Sequence, residues 1–232
     1  AVTGNKAAEI LNMKKFIFLN DFVVNGYGVL SDIKEETDYI KLNDNPVDPD
    51  GPKAMIGAGT GLGHGYLVKN KGTKYYSVYP SEGGHQDFSP KTELEWRYMH
   101  FLQDHFKIKR ISLERACAGP ALSLIFNFFV KEGIESKVFP KINDDFTIGN
   151  EDIIKYGLSG ECNICKETVD FFNTMYGSAA GNMSLIVIPT GGLYLLGGLS
   201  YALESHIKER EIFKVKKLNL FIKYNIIYRN RL

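Results

Sequence analysis

The chain has 232 residues, 44% hydrophobic and 24% charged, the profile of a soluble globular protein with one large domain or two small ones. Three cysteines make a secreted disulfide framework a poor fit and point to a reducing compartment, and no apolar run reaches the length of a membrane span. The formal charge of +1 hides an asymmetry: residues 214–232 hold 6 of the 28 basic residues and no acid, which leaves 22 bases against 27 acids, a net of −5, in the rest. A mildly acidic body argues against a nucleic-acid-binding surface there. The basic tail reads either as a solvated ending or as a contact for nucleic acid or anionic lipid.

Taken in chain order, Lys14 to Leu19 is apolar and aromatic and predicts a buried strand ending at Asn20-Asp21. Residues 31–53 are polar and rich in Asn-Asp-Asn-Pro and Asp-Pro-Asp-Gly turn chemistry, which predicts a surface loop. Lys53 to Ile56, Gly65 to Val68 and Tyr75 to Tyr79 read as strands, the first two separated by a glycine-rich turn. Ser89-Pro90 then offers an N-cap and first residue for a helix through about Phe106. Ser112 caps a short helix, and Gly119-Pro120 opens a buried one over Ala121 to Val130 that stops at Gly133. Asn150 caps another short helix. Apolar residues from Ile164 to Met183 recur at helical spacing and predict a long amphipathic helix. Leu193 to Leu196 is a strand, Gly197-Gly198 a turn, and Leu199 to Ile207 a final helix. The pattern is mixed α/β.

Several stretches could carry chemistry. Asp21 follows a predicted buried strand, where open α/β sheets collect ligands; a carboxylate there could accept a proton from a hydroxyl, or Asn20-Asp21 could simply end the strand. Gly57-Ala58-Gly59-Thr60-Gly61-Leu62-Gly63 lets backbone N–H groups converge on a phosphate, with Thr60 adding a hydroxyl; the alternative is a plain hairpin. No Lys-Ser/Thr follows, so it is not a Walker loop. Glu82-Gly83-Gly84-His85 sets a carboxylate and an imidazole around two glycines, a pair able to grip sugar hydroxyls or to stand solvated in a loop. Glu114, on its own, reads as an exposed helix residue. Gly191-Gly192 and Gly197-Gly198 frame one strand and suit either a purine lying against backbone or two turns. Cys162-x-x-Cys165 has metal or redox spacing, but partner ligands and a βαβ context are lacking, so ordinary helix cysteines are the preferred reading.

In order, these stretches resemble the bacterial-type glucokinase family of actin-like sugar kinases. The likeness rests on Leu19-Asn20-Asp21-Phe22, Gly57 to Gly63, Glu82 to Pro90, Glu114-Arg115 with Gly119-Pro120, Gly181-Asn182, and Gly191-Gly192 with Gly197-Gly198. Cys162-x-x-Cys165 is similar to a pair found in some members. The resemblance spans about residues 5–212 and implies an α/β, actin-like (ribonuclease H-like) fold with two domains flanking a cleft. It implies that Asp21 is the catalytic base for the glucose 6-hydroxyl, and that Asn20, Glu82, His85 and Glu114 hold the sugar. Gly59, Thr60 and Gly61 would form a phosphate-binding hairpin, and Gly191, Gly192, Gly197 and Gly198 would bind adenosine.

The implied partners are glucose, ATP and Mg²⁺, with no nucleic acid, no membrane, a homodimer as one arrangement, and the cytoplasm as location. Family members begin with an Asp-x-Gly-Gly-Thr turn that is absent from this sequence. The expected division is therefore a small-domain remnant over 1–50, a large domain over 51–213 and a divergent basic tail over 214–232. Two functions follow as expectations: an ATP-dependent glucokinase or, lacking that turn, a non-catalytic sugar-binding remnant.

Overall fold

The computed structural model describes residues 3–31, 38–43, 46–134, 138, 148–209 and 225–228. Its centre is a six-stranded mixed sheet of β1 (Tyr39–Lys41), β2 (Lys53–Ala58), β3 (Leu62–Lys69), β4 (Tyr76–Ser81), β5 (Leu193–Leu196) and β6 (Asn225–Tyr228), in the order β1-β6-β5-β2-β3-β4. β2, β3 and β4 form an antiparallel meander. β5 runs parallel to β2 and to β6, and β1 closes the edge antiparallel to β6. The sheet thus takes strands from each of the segments 1–50, 51–213 and 214–232.

β2 is buried along its whole length because helices cover both faces of the sheet. On one face pack α3 (Glu93–Phe106), α5 (Gly119–Lys131), α6 (Asn150–Ser159) and α7 (Asn163–Val187), around a core that includes Ile56, Tyr98, Leu122, Phe128 and Phe172. The Tyr98 ring lies 5.3 Å from Phe128 and 5.4 Å from Phe171, which locks three helices together. The Tyr176 hydroxyl donates to Ile56 O at 3.2 Å and meets Ser200 Oγ at 2.8 Å, tying α7 to β2 and to α8 (Gly198–Ala202). On the other face, α2 (Asp21–Val29) packs Val29 and Phe22 on a smaller cluster of Met55, Leu67, Tyr194 and Leu196.

Four expectations are corrected. Lys14 to Leu19 is neither a strand nor buried: it is irregular, and Ile17, Phe18 and Leu19 are exposed. A strand needs a neighbour for its backbone groups, and among the described residues none lies beside it. Helix α3 starts at Thr92 rather than Ser89, because Thr92 Oγ1 accepts from Glu95 N at 3.1 Å while the Glu95 carboxylate accepts from Lys91 N, just before the cap. The helix expected over Leu199 to Ile207 is two, α8 and α9 (Glu204–Glu209), joined at the buried Leu203. The tail is not wholly a solvated ending: Asn225–Tyr228 is an interior strand, in keeping with the β-propensity of its Ile-Ile-Tyr. Residues 214–224 and 229–232 lie outside the described residues.

A further correction falls on residues 31–53, which are not surface loop throughout: Tyr39–Lys41 is β1, and Ile40 and Leu42 are buried in the core, because pairing with β6 draws them onto the sheet. Other expectations hold closely. The long helix runs over Asn163–Val187, the late strand is Leu193–Leu196, and Ser112 caps α4 (Leu113–Ala116) through Arg115 N. Asn150 opens α6 but Gly149 is its cap; the Asn150 side chain instead donates to Gly119 O at 2.8 Å.

Candidate active site

The β2–β3 hairpin is the backbone of the site. Its ladder runs to the Ala58–Leu62 pair, so only Gly59-Thr60-Gly61 forms the turn, closed by Gly59 N donating to Gly61 O at 2.8 Å. The turn is pinned from behind, because Gly119 N, at the start of α5, donates to Gly59 O at 2.7 Å. A Cβ on residue 119 would stand 2.6 Å from that same oxygen, so the contact admits glycine alone. Phe22 of α2 packs its ring on Gly57 and Gly63 and carries the start of that helix to the hairpin.

Beside the hairpin, Gly83–His85 forms one 3₁₀ turn after β4, with His85 N donating to Glu82 O at 2.9 Å. Phe88 N to Ile111 O at 2.9 Å and Leu113 N to Gln86 O at 2.8 Å bind this loop to the segment carrying α4. That places Glu114 against the hairpin, where its Oε2 accepts from Leu62 N at 3.0 Å. The His85 imidazole stands between two carboxylates, with Nε2 3.7 Å from Glu82 Oε2 and Nδ1 3.9 Å from Glu114 Oε1. The Glu82 side chain is 86% exposed, His85 61% and Glu114 32%, so the trio lies at an opening.

Across that opening, Asn20 caps α2: its Oδ1 accepts from Phe22 N at 2.9 Å and Val23 N at 3.3 Å. The capping leaves its amide NH₂ as the group available to a ligand. Asp21 is the first residue of the helix, and its Oδ1 accepts from Phe22 N at 3.0 Å.

The structure brings Asn20, Asp21, Glu82, His85, Glu114, Gly59, Thr60 and Gly61 to the wall of one cleft of about 350 Å³, which Gly197 also lines. A second hollow of about 520 Å³ adjoins it, walled by Gly59, Thr60, Gly119, Pro120, Gly198 and Leu199 among others. Gly59 and Thr60 belong to both, so the glycine turn is the partition between two hollows. Gly191 and Gly192 are not brought here. They sit at the other end of β5, where Gly191 N donates to Pro52 O at 2.8 Å and Lys53 Nζ donates to Gly191 O at 3.0 Å. Five residue steps at roughly 3.3 Å each put about 16 Å between Gly192 and Gly197.

His64 also lines the cleft and was not anticipated. It is 4% exposed, its Nε2 has no hydrogen-bond partner among the described residues, and burial pushes its pKa down to about 4. The available signal was the alternation Leu62, His64, Tyr66, which puts these side chains on one face of β3. Cys117, Cys162 and Cys165 are buried and form no disulfide, with burial pushing the Cys117 and Cys165 thiols up. Among the described residues no three His, Cys, Asp or Glu side chains cluster as metal ligands, and no helix is long and apolar enough to cross a membrane.

Comparison with known proteins bears on the family and the fold. The glucokinase family model matches residues 1–216. A glucokinase from Synechocystis sp. is 33% identical over 211 residues, covering 86% of this chain and 59% of the relative. The chain therefore spans about three fifths of the length of that relative. Among solved structures, a glucokinase from an Antarctic psychrotroph superposes with a TM-score of 0.73 at 24% identity, over 92% of this chain and 64% of the other. A ROK-family glucokinase from Streptomyces griseus, solved with glucose and AMPPNP, gives a TM-score of 0.60 at 15% identity, over 97% and 66%. The fold is the α/β fold of the actin-like sugar kinases, and by sequence the chain belongs to the glucokinase family.

Proposed function

We propose that this chain carries the sugar cleft and part of the nucleotide site of a glucokinase that transfers the γ-phosphoryl group of ATP to the 6-hydroxyl of glucose. One observation carries the reading: the glycine turn separates a cleft lined by carboxylates and imidazole from a second hollow walled largely by backbone and apolar groups. A phosphoryl group handed between the two must pass the turn, where backbone and Thr60 can donate to its oxygens.

Each group has a role set by its chemistry. Glu82, His85, Glu114 and the Asn20 amide hold sugar hydroxyls, which both donate and accept. Asp21, an exposed carboxylate lining the cleft, takes the proton of the attacking hydroxyl. Gly198 and Leu199, with Pro120, floor the hollow for the nucleoside. Little covalent work falls to the protein, because such a transfer is mostly positioning and charge neutralisation.

Mg²⁺ fits only as a guest of the nucleotide. The described residues offer no dedicated cage, and Mg²⁺ is normally held by phosphates, waters and one or two carboxylates. When bound it would neutralise phosphate charge. Three buried thiols outside any disulfide suit a reducing compartment, which favours the cytoplasm as location.

Calorimetric titration with glucose and a coupled kinase assay test the reading. Glucose should bind saturably, and Asp21→Ala should lower any turnover by about 10²–10⁴-fold, the usual share of a general base. Glucose binding without turnover would favour the sugar-binding remnant. No binding by a folded sample would overturn the proposal.

A further inference from the structure

His64 has no part in the mechanism above, yet it stands where the sugar loop meets the sheet. On β3 it pairs with Ile56 on one side and with Ser81, the last residue of β4, on the other. Gly83, two residues past Ser81, lies directly on the imidazole: a Cβ there would overlap Nδ1 and stand 3.0 Å from both Cε1 and Cγ. The ring is thus the floor on which the turn between Glu82 and His85 rests. It is also part of a wall, since a third cavity of about 380 Å³, lined by Tyr66, Val68, Met183 and Ile186 among others, shares His64 and Ser81 with the sugar cleft.

The choice of residue is costly. The imidazole is 4% exposed, and Nε2 has no partner among the described residues. An apolar side chain of similar volume would spare that desolvation, so an unpaired polar ring in a core position calls for a reason. Burial keeps the ring neutral at neutral pH, which rules out a standing charge opposite Glu82 and Glu114 as that reason. Shape remains: a flat, rigid ring under Gly83 sets the height of a turn whose two ends carry the facing carboxylate and imidazole.

We infer that His64 is a positioning residue of the sugar site, propping Gly83 so that Glu82 and His85 are held together at the cleft edge. The inference rests on the glucokinase reading of that cleft. It touches no ligand and acts only through the turn above it.

The test compares His64→Ala and His64→Gln with the unaltered chain, by calorimetry with glucose and with AMPPNP and by amide hydrogen exchange. His64→Ala should weaken glucose binding by on the order of tenfold, since misplacement near 1 Å is that costly or more. It should speed exchange at the His85 and Gln86 amides, which close the turn, and leave AMPPNP affinity and β3 exchange unchanged. His64→Gln, which refills the space with a planar polar group, should restore most of the glucose affinity. Unchanged glucose affinity and unchanged turn exchange in His64→Ala would overturn the inference. So would a joint loss of glucose and AMPPNP binding with faster exchange throughout β3, the mark of a general core defect. Should the unaltered chain bind no glucose, the functional reading falls alone, and the exchange arm still decides whether His64 props the turn.

Discussion

The two walls of the cleft are built differently. One wall, the β2–β3 hairpin with the Glu82–His85 turn and Glu114, stands on buried strands and is cross-tied by backbone hydrogen bonds to α4 and α5. The other, Asn20 and Asp21, follows an irregular segment whose apolar side chains face solvent, with Phe18 60% exposed. Phe22, lodged on the hairpin glycines, Gly26, packed against Val78 and Met55, and Val29 anchor α2 to the sheet. In the proposed reading, the groups that hold hydroxyls sit on the cross-tied wall, and the proposed proton acceptor sits on the wall reached through the exposed irregular segment. A kinase that closes on its sugar benefits from such a division, because closure brings the base to an already ordered substrate.

Limited proteolysis can break this comparison most sharply. Trypsin should cut after Lys14 or Lys15 about 10²-fold faster than after the buried Lys53, since each 1.4 kcal/mol of opening free energy is a factor of ten. Equal rates would mean that the walls are equally firm.

Acid should unsettle the rigid wall from beneath. The folded chain holds the His64 pKa at about 4, below its ordinary 6.5, so between these values the unfolded chain binds the extra proton. Stability is therefore full above pH 6.5 and falls as pH drops toward 4, by about 3 kcal/mol for this group. Denaturant titrations at pH 7 and pH 4.5 should show a smaller difference for His64→Gln. The carboxylates of Glu82 and Glu114 are common to both proteins and cancel.

Gly119→Ala would push a methyl against Gly59 O and should destabilise by about 1–3 kcal/mol, the usual cost of overpacking. Its denaturation midpoint should fall and AMPPNP affinity with it. At the small end, Thr60 is exposed at the tip of the turn, so Thr60→Ala should change stability by less than about 0.5 kcal/mol. Loss of one hydroxyl contact should still weaken AMPPNP binding by about 0.5–1.5 kcal/mol in calorimetry. A stability loss as large as that of Gly119→Ala would show that the tip, too, is structural.

What could be read from the sequence were features with local causes. Helical periodicity gave α7, the capping serine gave α4, and glycine spacing gave the hairpin turn, because each is decided by residues a few positions apart. The order of motifs gave the family, and with it Asn20, Asp21, Glu82, His85 and Glu114, all of which line one cleft. Tertiary structure decided the rest. Lys14 to Leu19 carries a strand's composition without a strand's neighbour, and Asn225–Tyr228 becomes an interior strand because β5 and β1 pair with it. Gly191-Gly192 and Gly197-Gly198 look alike in sequence, but the length of β5 holds them at opposite ends of the sheet, and only the second pair reaches the hollows. His64 acquires its place from long-range packing, since nothing within its own strand reveals that Gly83 rests on it. Local chemistry thus determined which carboxylates, imidazoles and glycine turns this protein has to offer a ligand. The pairing of distant strands determined which of them meet, because backbone hydrogen bonds and burial are satisfied only by partners far away in the chain.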